Sequence, residues 1–140
     1  MSFHEKSAWL MALILLAGGA WYFNLVLSAS AELGAVAPPL LPVVVVYVVA
    51  IIILSIIGHL LITLVRPSYA DDTVDERDRA INHKAGNFSG VLLGIGVLAA
   101  LGTYLFSFDG NLMFHIAFGA LMVSQIAEYG ARIAFYRMGG

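Results

Sequence analysis

Apolar residues fall into four long runs, broken by short polar segments. The runs cover 8–28, 43–65, 86–106 and 112–136. A helix needs about 20 mostly apolar residues to cross a hydrocarbon core of about 30 Å, so each run predicts one membrane-spanning helix. No run carries an ion at its centre. The first does not read as a cleaved leader, although Lys6 precedes it and Ala17-Gly18-Gly19-Ala20 looks cleavable. Its apolar stretch continues through Trp21 and Phe23 to Leu27, too long for a signal core. The predicted fold is an all-α integral membrane four-helix bundle, one transmembrane domain over 1–140 with a polar loop at 66–85.

Composition agrees with this pattern and narrows it. Hydrophobic residues make up 61% of the 140 residues and charged ones 11%, against about 25% charged in soluble domains. A soluble enzyme and a disordered chain are both excluded. The net charge is −2 and the seven Lys and Arg are scattered, so there is no basic face for nucleic acid. Cysteine is absent, which removes disulfides, thiolate metal sites and thiol nucleophiles.

The cations set the expected orientation. Lys6 precedes the first span; Arg66, Arg77, Arg79 and Lys84 lie between the second and third; Arg132 and Arg137 end the fourth. The other two loops hold only Glu32 and Asp109. The positive-inside rule makes the basic side cytoplasmic, with both termini inside and the chain in the cell membrane. Trp9, Trp21, Tyr22, Tyr47, Tyr69, Tyr104, Tyr129 and Tyr136 lie mostly near span ends and read as an interfacial aromatic belt.

Small residues predict where helices meet, because association in lipid depends on close van der Waals contact. Gly86, Gly90 and Gly94 form one stripe on the third span, and Gly96, Ala100 and Gly102 a partly separate face. One face inside the monomer and one between monomers is the expectation, hence a homo-oligomer; packing of every glycine within one monomer is the alternative. The second span is a β-branched wall from Val43 to Ile53, suited to lipid or to a wide groove.

The loop at 66–85 is the most charged segment. Pro67 ends the second helix near Arg66. Thr73 and Glu76 have capping-box spacing, and Asp75 and Arg79 are an i, i+4 pair. Val74, Ile81 and Phe88 recur every seven residues, so the third helix is expected to extend into the cytoplasm, either straight or with a bend near Gly86. Asp71, Asp72, Asp75, Glu76 and Asp78 admit three readings: a solvated helix start, a divalent-cation site, or a docking surface for a cytoplasmic protein. No EF-hand spacing is present. Asp75-Glu76-Arg77-Asp78, followed by Ile81 and Ala85-Gly86, resembles the cytoplasmic motif of small uncharacterised four-helix prokaryotic membrane proteins. The resemblance implies no catalytic residue. It implies that Asp75, Glu76, Arg77 and Asp78 matter.

Polar residues at membrane depth are the remaining candidates, since burying an ion in hydrocarbon costs several kcal/mol. At 1.5 Å per residue, His59 lies about 9 Å from the inner end of its span and Glu128 about 6 to 12 Å from the end of its own. With Ser124, Gln125 and Asn87 they predict an inner-leaflet polar layer, and His59–Glu128 is its sharpest pair. Arg132 competes for Glu128 at i+4, and Ser55 or a backbone carbonyl competes for His59. Asn24, His115 and Asp109 mark the outer side. His59 and His115 are about 15 Å apart along the membrane normal, too far to share one haem iron. A His59–His59 pair in a dimer remains open. No zinc, nucleotide or hydrolase motif occurs in context, and no cofactor is expected.

The function expected is that of an accessory or regulatory membrane subunit, or a homo-oligomer, that shows a charged helix to a cytoplasmic partner. A proton or ion pathway through the inner polar layer is the alternative, and a haem- or metal-binding redox protein the third reading.

Overall fold

The computed structural model describes residues 3–65 and 76–138. It is all-helical: α1 Phe3–Leu33, α2 Leu41–Val65, α3 Glu76–Ser107 and α4 Gly110–Met138. Each helix is long and apolar enough to cross a membrane, so the architecture is that of a multi-pass membrane protein. The helices outrun the apolar windows. The 32 residues of α3 span about 48 Å at 1.5 Å per residue, well beyond the hydrocarbon core of about 30 Å. Its start at Glu76, ten residues before the apolar run, agrees with the expected extension. Arg66, Pro67, Tyr69, Asp71, Asp72, Thr73, Val74 and Asp75 lie outside the described residues, and with them the expected helix stop, capping box and Asp75–Arg79 pair.

Helix contacts run in the order α2–α1–α4–α3. The most extensive is α3 with α4, then α1 with α4, then α1 with α2. Helices α2 and α3 thus lie at the two margins. A tight link makes α3 and α4 a hairpin: Phe108 takes a left-handed φ of 54°, its N–H closes on the Tyr104 carbonyl at 2.8 Å, and Asp109 caps α4. Asp109 Oδ1 accepts from the N–H groups of Asn111 (2.9 Å) and Leu112 (3.1 Å), which satisfies two donors that a helix start leaves open.

Small residues set the close approaches. A methyl group at Gly96 would collide with the Ala120 side chain, and one at Gly119 would come within 2.9 Å of Phe23 Cζ. Gly58 lies against Leu10 where α1 crosses α2, and Gly18 against Tyr47 and Ile51. By contrast, a Cβ at Gly86, Gly90, Gly94 or Gly102 would meet nothing within 4 Å. Of the second face foreseen on α3, Gly96 and the buried Ala100 are used inside the chain, whereas Gly102 is open like Gly86, Gly90 and Gly94.

Two core clusters hold α1 to its neighbours. One joins Ala8, Ala12 and Ile133, flanked by Trp9 and Tyr129. The other joins Tyr22, Tyr47 and Met122, with Phe23 and Phe118 against it. Tyr22 and Tyr47, 1% and 7% exposed, are not belt anchors as their placement near span ends suggested. They meet edge-on, ring centroids 6.0 Å apart, and both pack on Phe118 at 4.9 and 5.4 Å. Such edge-to-face contacts add to the area they bury.

Candidate functional site

Polar side chains gather at three places, and the expected single inner layer is divided between two of them. The ends where α1 and α3 begin and α2 and α4 finish lie together, and they carry every described Lys and Arg. This is the basic end of the molecule.

On the α1/α2 seam near that end, Ser7 Oγ lies 2.6 Å from His59 Nε2, and His59 Nδ1 lies 2.7 Å from the Ser55 carbonyl. A carbonyl only accepts, so the His59 proton sits on Nδ1 and Ser7 donates to Nε2. Ser55 Oγ and Thr63 Oγ1 turn back to carbonyls of their own helix, at 2.6 and 3.0 Å. Ser7 escaped notice in the sequence because it precedes the first apolar run. The usable signal was depth: counted from the basic end, it is level with His59.

On the α3/α4 face, Glu128 pairs with Arg132, and Ser89 donates to Glu128 Oε2 at 3.2 Å. Arg132 also lies 5.0 Å from the Tyr129 ring centre. His59 and Glu128 therefore have separate partners on separate helix pairs, and no hydrogen bond joins them among the described residues. The i+4 competitor and the Ser55 carbonyl hold the places that the pairing would have used. Ser124 is buried and donates to the Leu121 carbonyl (2.9 Å). Gln125 and Asn87 are exposed, and Asn87 lies 3.5 Å from His83 one turn away on α3.

At the basic end itself, α3 is tied to its neighbours. Tyr136 donates to Asp78 Oδ1 at 2.6 Å, His4 Nε2 is 3.7 Å from Asp78 Oδ2, and Arg77 reaches the Tyr136 carbonyl at 3.4 Å. Glu5 faces Arg137 at 3.7 Å, and Arg137 lies 5.4 Å from the Trp9 ring centre. Asp78 and Arg77, expected to face a partner, thus make contacts within the chain. Glu76 and Arg79 are exposed.

The third place, at the opposite end, is one that sequence reading placed only loosely. His115, 6% exposed, accepts from the Tyr22 hydroxyl at Nδ1 (3.0 Å) and donates from Nε2 to the Ala37 carbonyl (2.8 Å). Ala37 N–H donates to Ser30 Oγ at 2.9 Å, and Asn111 Nδ2 to the Val36 carbonyl at 3.4 Å. The segment at 34–40, released from α1 by Gly34 at φ 65°, is thus folded back and pinned from α1 and α4. Asn24 is exposed and Asp109 serves as a cap, so the polar layer at this end consists of His115, Tyr22, Ser30 and Asn111 with the backbone of Val36 and Ala37.

Among the described residues no group of three or more His, Asp or Glu is placed to hold a metal ion. Both ring nitrogens of His59 and of His115 are engaged by the chain. No family model, curated protein or solved structure matches the chain.

Proposed function

We propose that this chain is a subunit of the cell membrane, with its basic end cytoplasmic, that assembles with further copies of itself through the outward face of α3. In that assembly it offers the charged start of α3 to a cytoplasmic partner. The observation that carries this reading is the open glycine face. At 3.6 residues per turn, Glu76, Arg79, His83, Asn87, Gly90, Gly94, Val97 and Leu101 fall within an arc of about 100°, and all are exposed. The arc is opposite Ala85, Ser89 and Gly96, which face α4. Glycines facing lipid forfeit the close contact that favours them in membrane helices. Exposed Asn87 and His83 at the hydrocarbon border favour a polar partner over lipid.

The native chain has no cysteine, which allows a clean test. Single Gly90→Cys and Gly94→Cys variants in native membranes are expected to cross-link into dimers, and Ile53→Cys on α2 is not. Cross-linking at Ile53 alone would move the interface to α2. A monomer by light scattering in nanodiscs would end the proposal. Pull-down with a Glu76→Ala/Arg79→Ala variant tests the partner, and an unchanged partner set would remove that half. A proton pathway draws no support from two polar clusters set apart on different helix pairs.

A further inference from the structure

The α1/α2 seam holds a side-chain pair that self-assembly through α3 does not use. Ser7 donates to His59 Nε2 at 2.6 Å, and His59 Nδ1–H is committed to the Ser55 carbonyl at 2.7 Å. With the proton fixed on Nδ1, Nε2 keeps its lone pair and is the nitrogen able to take the Ser7 proton. Hydroxyl, imidazole and an acceptor that orients the imidazole are the three parts that activate a serine nucleophile. Both Ser7 and His59 are half-buried rather than sealed, so a reacting group has access.

Position selects the substrate. α1 has 31 residues, about 46 Å, so a hydrocarbon core of about 30 Å centred on it begins close to Ser7, while His59 lies about 9 Å inside the end of α2, which places the pair within one to two turns of the border. That border, between hydrocarbon and headgroups, is where lipid ester carbonyls lie. The same seam opens into a groove of about 450 Å³, lined by Leu13, Ala17, Trp21, Val46, Ala50 and Leu54 and almost wholly apolar. On α1 it runs from about 9 to about 21 Å above Ser7. Its volume is in the range of ligand sites. Leu10 meets Gly58 between the Ser7–His59 pair and the groove, so an extended acyl chain reaches the groove past that contact on the lipid side. A third helix, about 10–12 Å across with its side chains, does not fit.

We propose that Ser7 and His59 are a nucleophile–base pair acting on long-chain acyl esters at the basic surface of the membrane, with the acyl tail in the α1/α2 groove. Ser7 Oγ forms a bond to the ester carbonyl carbon as His59 Nε2 takes the hydroxyl proton. The bond from that carbon to the alcohol oxygen breaks, and His59 returns the proton to the leaving alcohol. Water then attacks acyl-Ser7 while His59 takes a proton from it. The carbon–Oγ bond breaks, the fatty acid leaves, and Ser7 regains its proton. Water is the only co-reactant.

The full chain in nanodiscs is treated with alkyl fluorophosphonates of long and short chain, and adducts are located by peptide mass. Ser7 is expected to carry the adduct, with the long-chain reagent at least about tenfold faster. Ser7→Ala abolishes labelling, and His59→Gln slows it about a hundredfold or more. Ala17→Phe, which fills the groove, brings the long-chain rate down towards the short-chain one. Thr103→Ala, near the opposite end of the molecule on α3, leaves labelling unchanged. No adduct at Ser7, an equal rate in His59→Gln, or no preference for chain length would each overturn the proposal. A Ser–His contact that serves only to hold α1 to α2 gives the first of these results.

Discussion

Replacing His115 tests the end of the molecule opposite the basic one most directly. His115→Ala removes two hydrogen bonds at once and strands both partners. The Tyr22 hydroxyl, in a side chain 1% exposed, loses its acceptor, and the Ala37 carbonyl loses its donor. An unsatisfied buried group costs about 1–3 kcal/mol. Hydrogen bonds between membrane helices measure lower, about 0.6 kcal/mol on average and about 1.7 at most, because the unfolded chain in the membrane finds substitute partners. Two bonds plus the space left by the ring therefore give about 2–3 kcal/mol for His115→Ala. Tyr22→Phe removes one bond and keeps the ring contacts with Tyr47 and Phe118, so about 1 kcal/mol is expected. The assay is unfolding by SDS titration in mixed micelles, followed by the fluorescence of Trp21, the neighbour of Tyr22. The double variant should fall short of the sum of the singles by about 0.6–1.7 kcal/mol, the coupling of a bond present only when both side chains are. Strict additivity within about 0.3 kcal/mol would show that the Tyr22–His115 bond is not made. A second readout separates the loop from the helices: His115→Ala should speed hydrogen exchange at Ala37 far more than at Met122.

The two glycine faces of α3 should respond in opposite ways. Gly96→Leu should cost about 3 kcal/mol or more in the same titration, because Ala120 leaves no room. Gly90→Ala should leave monomer stability equal or up to about 1 kcal/mol higher, from helix propensity, while lowering the dimer fraction in nanodiscs. Tyr136→Phe removes the bond to Asp78 and should cost about 1 kcal/mol, with faster hydrogen exchange over 76–82 as its local signature. Gly34→Ala places a side chain at φ 65° and should destabilise by about 1 kcal/mol, read as a lower midpoint of thermal unfolding in detergent.

Hydropathy made the helices legible, and it did so through the bilayer. A window of apolar residues measures the hydrocarbon core, so it finds each helix but stops where polar residues begin. Backbone hydrogen bonding does not stop there. α3 therefore starts ten residues before its apolar run, and Ser7 lies inside α1 while outside its window. Depth counting along each helix was sound for placing His59 near the basic end, yet it could not fix helix rotation. His59 and Glu128 have similar depth, but α2 borders α1, whereas Glu128 faces Ser89 on α3. Levels also fail where a loop folds back. Tyr22 is about 16 Å from the end of α1, while its neighbour Tyr47 is about 9 Å from the start of α2. α1 stands about one and a half turns proud there, and the segment at 34–40 descends beside it to His115. Counting from span ends placed Tyr22 among belt residues for that reason. The glycine faces were legible as a pair because their spacing differs, but which one meets α4 depends on the Ala120 contact, invisible in the chain itself.

The two margins of the helix row differ in what lipid can do for them. α2 exposes Val45, Val46, Val48, Val49, Ile52, Ile53, Ile56 and Ile57, each more than 40% accessible. Bulky branched side chains are as content among acyl tails as against protein, so that margin gains little from a partner. α3 exposes glycine backbone in its membrane half, and Asn87, His83, Arg79 and Glu76 towards its start. Lipid fits glycine notches poorly and cannot satisfy Asn87. Only one margin thus has reason to be covered by protein. A contact of one face with itself is isologous and closes at two subunits. On the proposed reading the assembly is a row of eight helices with α3 at its centre, and further growth stops because the outer α2 margins are already satisfied by lipid. The same geometry leaves each α1/α2 seam, with Ser7, His59 and the acyl-sized groove, on the flank that faces the bilayer, where a lipid ester can reach it without the dimer having to open.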